Sequence, residues 1–171
     1  MRAGLDATDW RILKELQANG RITNVELARK VGISPPPCLR RTRALEQAGI
    51  IAGYFALLDE KALDFEAIAF ANVGLHSQSE ASLRAFENQV LVWPLVRECY
   101  MLSGETDFQL KCVAPDLTAF QDFVKELTAT PNVASVKTTL VIRRVKLEPG
   151  VPIALGQKRP AASAPGRRRP G

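Results

Sequence analysis

Apolar residues recur at helical spacing near the start of the chain and predict a first helix. The apolar stripe consists of Trp10, Ile12, Leu13 and Leu16. Asp6 precedes the stripe and can cap the free N–H groups of the first turn, where Asp9 suits the helix dipole. Asn19-Gly20 follows it, and glycine tolerates the left-handed conformation that often ends a helix. We therefore expect one helix between these two signals.

A second and a third helix follow, separated by a glycine turn. Thr23-x-x-Glu26 is a capping box that opens the second helix, and Gly32 ends it with a sharp turn. A residue before proline avoids the helical region, so we expect residues 34–36 to be extended and the third helix to run over 37–48, closed by Gly49. The predicted inward residues of the two helices are Leu27, Ala28, Val31, Leu39, Thr42 and Leu45.

From about residue 66 the pattern changes to strands alternating with helices. Residues 103–107 read as a short hairpin connection between two of the strands. The resulting strand-helix-strand-strand-helix-strand order is that of the ferredoxin-like fold. The predicted strands are 67–75, 95–102, 108–113 and 133–145, and the predicted helices are 80–92 and 116–128.

These patterns predict an α+β chain in four parts. Residues 1–53 form a helix-turn-helix unit of the winged type, and residues 54–65 form a linker strand that starts in the apolar run 50–55. Residues 66–148 form the ferredoxin-like βαββαβ domain. Residues 149–171 are mostly Pro, Gly, Ala and Arg and are predicted to be disordered, because they cannot bury enough apolar area.

The charge is divided unevenly along the chain. The net charge is +4 over residues 1–53, −4 over 54–150 and +5 over 151–171. A basic N-terminal part followed by an acidic part is typical of a protein that binds nucleic acid through one face. The run Arg167-Arg168-Arg169 could add salt-sensitive DNA affinity or could simply be solvated.

Composition argues against several other classes of protein. No apolar run approaches the roughly 20 residues of a membrane span, and the N-terminus lacks a secretory signal, so we expect a cytoplasmic protein without membrane contact. The 3 cysteines include no C-x-x-C pair, and the single histidine, His76, has no second ligand or base near it in sequence. We therefore expect no metal, no cofactor and no catalytic residues.

The third helix is the candidate DNA interface because it carries clustered arginines. A guanidinium group on a rigid helix can grip guanine edges bidentately or bridge phosphates, although Arg41 could instead brace the fold. The triple proline removes N–H donors that a helix N-terminus offers to phosphates, so side chains must carry more of the contact. Arg29 is a further phosphate candidate, with a solvated surface as the alternative. The predicted DNA-contacting residues are Ser34, Pro36, Cys38, Arg40, Arg41, Arg43, Lys30 and Arg21.

Two sets of motifs in one chain carry a family resemblance. The first set includes Leu5-Asp6-x-x-Asp9, Leu27-Ala28-x-x-Val31-Gly32-Ile33-Ser34 and Leu45-Glu46-x-x-Gly49. The second set includes Gly104-x-x-Asp107-Phe108-x-Leu110-Lys111 and Ala114-Pro115-Asp116. With these motifs in this order, residues 5–147 resemble the Lrp/AsnC family of feast/famine transcriptional regulators. The triple proline departs from the family, which usually carries a hydroxyl residue near Pro36.

The resemblance implies a sequence-specific regulator that binds double-stranded DNA, is not an enzyme and responds to a small amino acid. The loop 103–107 could bind the ammonium and carboxylate of such an effector, or Gly104 and Asp107 could be only turn formers. The predicted effector-binding residues are Tyr100, Ser103, Gly104, Thr106, Asp107 and Thr138. The resemblance also implies a homodimer that assembles to an octamer, with residues 50–58 pairing with the same segment of a second chain.

Two other functions stay open at this point. One is a nucleoid protein that wraps DNA around an oligomer with little sequence choice. The other is a haem-pathway decarboxylase, since some of these enzymes resemble this architecture. Such enzymes need substrate sites that carry histidine, and this chain has only His76.

Overall fold

Three short helices form the N-terminal part of the chain: α1 (Ala7–Ala18), α2 (Asn24–Val31) and α3 (Pro35–Gln47). The computed structural model describes residues 4–154, so most of the predicted tail 149–171 lies outside the described residues. The three helices enclose one apolar core, with partly buried residues such as Leu13 and Leu16 packed against it. The fully enclosed side chains are those of Ile12, Leu27, Ala28, Val31, Cys38 and Leu45.

Local signals start and end these helices largely as the sequence predicts. Asp6 is the N-cap of α1, and the structure forms the predicted capping box at Thr23 on α2. Gly32 and Gly49 adopt the left-handed conformation, at φ values of 76° and 68°. The left-handed cap predicted at the end of α1 is wrong: Asn19 caps the helix in an extended conformation, and its N–H donates to Glu15 O.

The predicted start of α3 is also wrong, because the helix begins at Pro35 and not at Pro37. The first N–H groups of any helix have no intrahelical acceptor, so prolines in the first turn lose no hydrogen bond. Cys38 is the first residue that donates, to Ser34 O at 3.3 Å. This arrangement outweighs the steric penalty on a residue that precedes proline. Leu39 was predicted to face inward but is 39% exposed, and Cys38 is buried in its place.

The predicted linker strand is absent from the described chain. Residues 52–59 have no regular structure, and only a short 3₁₀ helix follows at Lys61–Leu63. A strand needs a neighbouring strand for its backbone hydrogen bonds, and none of residues 4–154 offers one to this segment. The linker leaves Phe55 93% exposed.

A four-stranded antiparallel sheet with two helices makes up the second part of the chain. Its strands are β1 (Ala67–Leu75), β2 (Val96–Met101), β3 (Phe108–Ala114) and β4 (Val133–Leu140), in the spatial order β2-β3-β1-β4. The helices are α4 (Glu80–Val90) and α5 (Leu117–Ala129). This is the predicted βαββαβ order, and β1 matches its predicted bounds.

Alternate residues of β1 and β3 are buried and form the second core. The apolar side chains of these strands face aromatic residues, among which Phe86 and Trp93 pack with ring centroids 6.0 Å apart. The remaining members of that aromatic cluster are Phe108, Phe120 and Phe123. Leu117, the first residue of α5, is 48% exposed.

The last strand is shorter than predicted, ending at Leu140 and not at Val145. Its partner β1 begins at Ala67, and the final hydrogen bond between them runs from Val141 N to Ile68 O at 2.8 Å. Beyond that point the chain has no neighbouring strand to pair with, so regular structure stops.

The chain divides into two compact units. One contains the residues up to Ala56 together with those from Glu148 onward, and the other contains Leu57–Leu147. None of the helices within residues 4–154 has the length and apolar character of a membrane span.

Candidate nucleic-acid interface and effector loop

Arg40 and Arg43 lie on the outer face of α3, and both side chains are exposed. Neither guanidinium forms a hydrogen bond or ion pair with any residue that the structure describes. Arg29 of α2 and Arg21 are exposed as well. The helix-turn-helix therefore presents several cations whose donors are available to an anionic partner.

Arg41 differs from its neighbours because it braces the unit. Its Nη1 contacts Asp6 Oδ2 at 2.7 Å and Asp9 Oδ1 at 2.8 Å, which ties α3 to the start of α1. The backbone N–H of Asp9 and then the Arg41 guanidinium hold the pKa of Asp6 below its usual value. The prediction that Arg41 contacts DNA is not supported by this geometry, which agrees with the alternative of a structural brace.

The brace has a testable pH dependence. A carboxyl group whose pKa is lowered by folding stabilises the folded state above its unfolded pKa, which is near 3.8 for Asp6. That stabilisation is lost as the pH falls through the lower folded pKa. We expect Arg41→Met to lower the unfolding midpoint in urea at pH 7, and we expect its difference from wild type to shrink between pH 4 and pH 3.

Arg43→Met is the matched control for this prediction, since Arg43 is an exposed arginine on the same helix. It should leave the midpoint unchanged at every pH. Equal midpoints for wild type and Arg41→Met at pH 7 would show that the brace contributes no stability.

Two other predicted DNA contacts are engaged elsewhere. Lys30 Nζ forms an ion pair with Glu15 Oε2 at 2.7 Å, which reduces its availability to a phosphate. Cys38 is fully buried in the N-terminal core, and burial raises the pKa of its thiol. The prediction that Cys38 contacts DNA is therefore wrong, because its side chain packs inward against the core.

The start of α3 is fixed without its N-cap side chain. The Ser34 hydroxyl makes no cap hydrogen bond, so it stays available, while Asn24 Nδ2 donates to Pro35 O at 2.9 Å and links α2 to α3. Pro36 is exposed and, like the other two prolines, has no N–H to offer. A phosphate at this end of α3 must therefore be held by side chains and not by backbone donors.

The hairpin loop between β2 and β3 is exposed, and Asp107 anchors its base. Asp107 Oδ2 accepts from Leu75 N at 2.7 Å, and Oδ1 accepts from Gln78 Nε2 at 2.8 Å. Its backbone N–H donates to Val73 O, and its carbonyl accepts from Leu102 N. Asp107 is thus more than a turn former, because it binds the hairpin to the end of β1.

The loop tip is open to solvent. Ser103 and Gly104 are exposed, and Thr106 is partly buried. A Cβ atom built on Gly104 would meet nothing within 4 Å, and its φ is not positive, so the backbone does not require glycine here. The space beside Gly104 is compatible with a ligand or a second chain.

The structure does not bring all predicted effector residues together within one chain. Tyr100 lies on β2, where its hydroxyl donates to Glu98 Oε2 at 2.6 Å on the face opposite the helices. Thr138 lies on β4, at the other edge of the sheet, and shares the helix-side face with its partner Ala71. The two edges are three strand spacings apart, about 14 Å. The loop and Thr138 therefore do not form one site within the described chain.

Gln78 and Asn24 are positioning residues that sequence patterns did not reveal. Each contacts a residue that is distant in sequence, so local spacing does not reveal the contact: Gln78 is 29 residues from Asp107. Within the described part of the chain no three His, Cys, Asp or Glu side chains gather as metal ligands.

A helix-turn-helix with available arginines, followed by a ferredoxin-like domain, defines a two-domain transcriptional regulator. Comparison with known proteins agrees in both parts of the chain. A family model described as winged helix-turn-helix DNA-binding matches residues 5–52. A second model, the Lrp/AsnC ligand binding domain, matches residues 68–151. The chain belongs to the Lrp/AsnC family of transcriptional regulators and is not an enzyme.

Individual relatives are similar over most of their length. The leucine-responsive regulatory protein of Rhizobium meliloti (strain 1021) is 60% identical over 147 residues, which cover 85% of this chain and 94% of the relative. The Bkd operon transcriptional regulator of Pseudomonas aeruginosa is 39% identical, covering 88% and 99%. A transcriptional regulator from Neisseria meningitidis, crystallised as an L-Met complex, has a TM-score of 0.82 and 39% identity, covering 86% and 96%.

Proposed function

We propose that α3 enters the major groove of double-stranded DNA and that Arg40 and Arg43 read base edges there. The observation that supports this proposal is that three arginines of one helix differ in their contacts. Arg41 is held by two carboxylates, whereas Arg40 and Arg43 are exposed and have no partner among the described residues. A rigid helix with long multi-donor side chains is what groove readout requires. Ser34, Pro36 and Arg21 lie exposed beside them and complete the proposed surface.

The second part of the proposal is that a small amino acid binds at the hairpin loop. The tip at Ser103, Gly104 and Thr106 offers backbone donors and acceptors with open space beside it. The neisserial relative was crystallised with L-Met, which supports an amino acid as the class of ligand. Because Thr138 lies at the opposite edge of the sheet, it would reach the ligand from a second chain.

The third part is that the chain acts as a homodimer that assembles further, to an octamer. Among the residues that the structure describes, the linker has no strand to pair with, and it exposes Phe55, Leu57 and Leu58. Pairing with the linker of a second chain would cover these side chains and satisfy the backbone. A dimer would also place two α3 helices about one DNA turn (~34 Å) apart on a palindromic site. As a DNA-binding regulator it would act in the cytoplasm.

Selection of bound genomic fragments, with and without a mixture of amino acids, tests these proposals together. We expect discrete footprints on a limited set of fragments. We expect one or more amino acids to change the affinity by about 5- to 150-fold, as is typical of coupled sites. Sedimentation of the same samples should show species no smaller than a dimer.

Gly104→Val separates effector binding from DNA binding, because the new side chain fills the space beside the loop. The variant should lose the amino-acid response and keep its affinity for DNA without amino acids. Gly4→Val is the matched control, since Gly4 also has nothing within 4 Å, and it should keep both properties. Broad protection without discrete sites would support an architectural DNA-wrapping protein instead. An unchanged response in Gly104→Val would exclude this loop as the binding place.

A further inference from the structure

Two segments of the chain connect the DNA-binding unit with the second unit. The DNA-binding unit runs up to Ala56 and resumes at Glu148, and the second unit lies between them. We call residues 52–56 the outgoing segment and residues 148–151 the return segment. A signal that travels along the chain from the second unit to α3 must pass through one of these two segments.

The return segment is fastened to α1 by the side-chain amide of Gln17. Gln17 Nε2 donates to Val151 O at 2.7 Å, and Val151 N donates to Gln17 Oε1 at 3.1 Å. The amide thus satisfies both polar groups of one residue, as a neighbouring strand would. Gly150 lies directly against the glutamine: its φ is +104°, and a Cβ atom there would meet Gln17 Cδ at 2.5 Å. A larger residue at position 150 would therefore break the contact.

The outgoing segment is fastened by Tyr54, which contacts the DNA-binding unit in two places. Its hydroxyl donates to Glu46 Oε1 at 2.9 Å, which binds the segment to the last turn of α3. Its ring lies against the backbone that follows α1, where a Cβ atom on Gly20 would be 3.4 Å from Tyr54 Cδ1. Gly20 and Gln17 are three residues apart, so both segments are held at the same end of α1.

An anchored segment and a loose segment differ in what they can transmit. Coupling between sites is carried by rigid elements and hydrogen-bonded contacts, whereas a loose segment absorbs a displacement in its own backbone angles. Neither the outgoing nor the return segment forms a helix or a strand. Side-chain contacts must therefore hold them, and Gln17 and Tyr54 supply such contacts.

We propose that Gln17 and Tyr54 are positioning residues for the amino-acid response. They hold the two connecting segments on α1 and α3, so that an amino acid bound in the second unit changes the affinity of α3 for DNA. This role rests on the proposed function, in which α3 reads DNA and the hairpin loop binds an amino acid. Neither residue belongs to the proposed DNA surface or to the loop. Their removal should therefore change the coupling between the two sites and not the sites themselves.

Gln17→Leu removes both hydrogen bonds to Val151 and tests the anchor of the return segment. Band shifts of the full chain on a duplex selected from genomic fragments, with and without a mixture of the standard amino acids, measure the response. The change in affinity, about 5- to 150-fold in wild type, should fall to about 3-fold or less. Affinity without amino acids should stay at the wild-type value, and the Val151 amide should exchange its hydrogen faster.

Gln47→Leu is the matched control, since Gln47 is another exposed helical glutamine of the same unit, and it should keep the full response. Gly150→Ala displaces the return segment from the other side of the contact and should reproduce the result of Gln17→Leu. The double variant should lose no more than either single variant, because both break one contact. Tyr54→Phe, which loses only the bond to Glu46, should also reduce the response.

Three outcomes would overturn this role, and they are distinguishable. A wild-type response that survives in Gln17→Leu and Gly150→Ala would exclude the anchors as positioning residues and leave the proposed function intact. A wild-type chain that responds to no amino acid would overturn the effector part of the proposed function, and the role of the anchors with it. Weaker DNA binding of Gln17→Leu without amino acids, with a lower unfolding midpoint in urea, would show that Gln17 only stabilises the fold.

Discussion

The double variant Arg40→Ala/Arg43→Ala is expected to bind its specific duplex about 10²- to 10⁴-fold more weakly than wild type. A bidentate contact between a guanidinium and a base contributes about 1–3 kcal/mol of discrimination, and the proposed readout has two such contacts. Both side chains are exposed and have no partner among the described residues, so their removal leaves no buried group unpaired. Band shifts on specific and random duplexes measure the loss, and urea unfolding should show an unchanged midpoint.

Arg97→Ala/Arg143→Ala is the matched control for that variant. Both residues are exposed arginines of the second unit, so the change in net charge is the same. The control should retain most of the affinity and all of the discrimination between duplexes. If it loses as much as the α3 variant, net charge and not groove readout explains the binding. If the α3 variant still prefers its specific duplex, another element reads the bases.

Asp107→Ala is expected to destabilise the second unit by about 2–3 kcal/mol and to abolish the amino-acid response. The substitution leaves Leu75 N and Gln78 Nε2 without their acceptor, and hydrogen bonds to a charged group contribute about 1.5–3 kcal/mol. The loop would then lose its attachment to the end of β1. Urea unfolding gives the stability, and titration calorimetry with amino acids gives the response.

Asp107→Asn distinguishes positioning from direct contact with the effector. Asparagine keeps an oxygen for Leu75 N but carries no negative charge. If Asp107 acts by anchoring the loop, Asn restores most of the response that Ala removes. A response lost equally in both variants would show that the carboxylate binds the ammonium group itself. Gln78→Ala should show a smaller stability loss than Asp107→Ala, because it removes one exposed donor and leaves the bond from Leu75 N to Asp107 in place.

Local patterns were sufficient to predict most helices and strands. The alternation in β1 and β3 and the capping residues of α2 and α5 depend on neighbours within a few positions. The predictions were wrong where an element's bounds depend on residues that are distant in sequence. The last strand stops near the start of its partner: Val141 N makes the final hydrogen bond, to Ile68 O, and β1 begins at Ala67. That limit is invisible in the sequence of the last strand itself.

The candidate site was predictable by residue type but not by role. Arg40, Arg41 and Arg43 lie within four positions and share one chemistry, so residue type alone does not assign their roles, and a brace at Arg41 was only one alternative. Only the fold separates them, through contacts of Arg41 with carboxylates 32 and 35 residues away. The same is true of Cys38, whose burial follows from a helix that starts two residues earlier than predicted.

The packing of α3 against the N-terminal core has a consequence for the evolution of DNA specificity in such a protein. Two contacts on its inner side fix its orientation: Cys38 and Leu45 pack into the N-terminal core, and Arg41 forms an ion pair with Asp9 of α1. The exposed side chains of Arg40 and Arg43 contact no partner within the described chain. With the proposed role of α3 in reading the operator, exchange at positions 40 and 43 would alter the preferred DNA site without a penalty in folding. The same scaffold could then acquire new DNA sites through one substitution at a time.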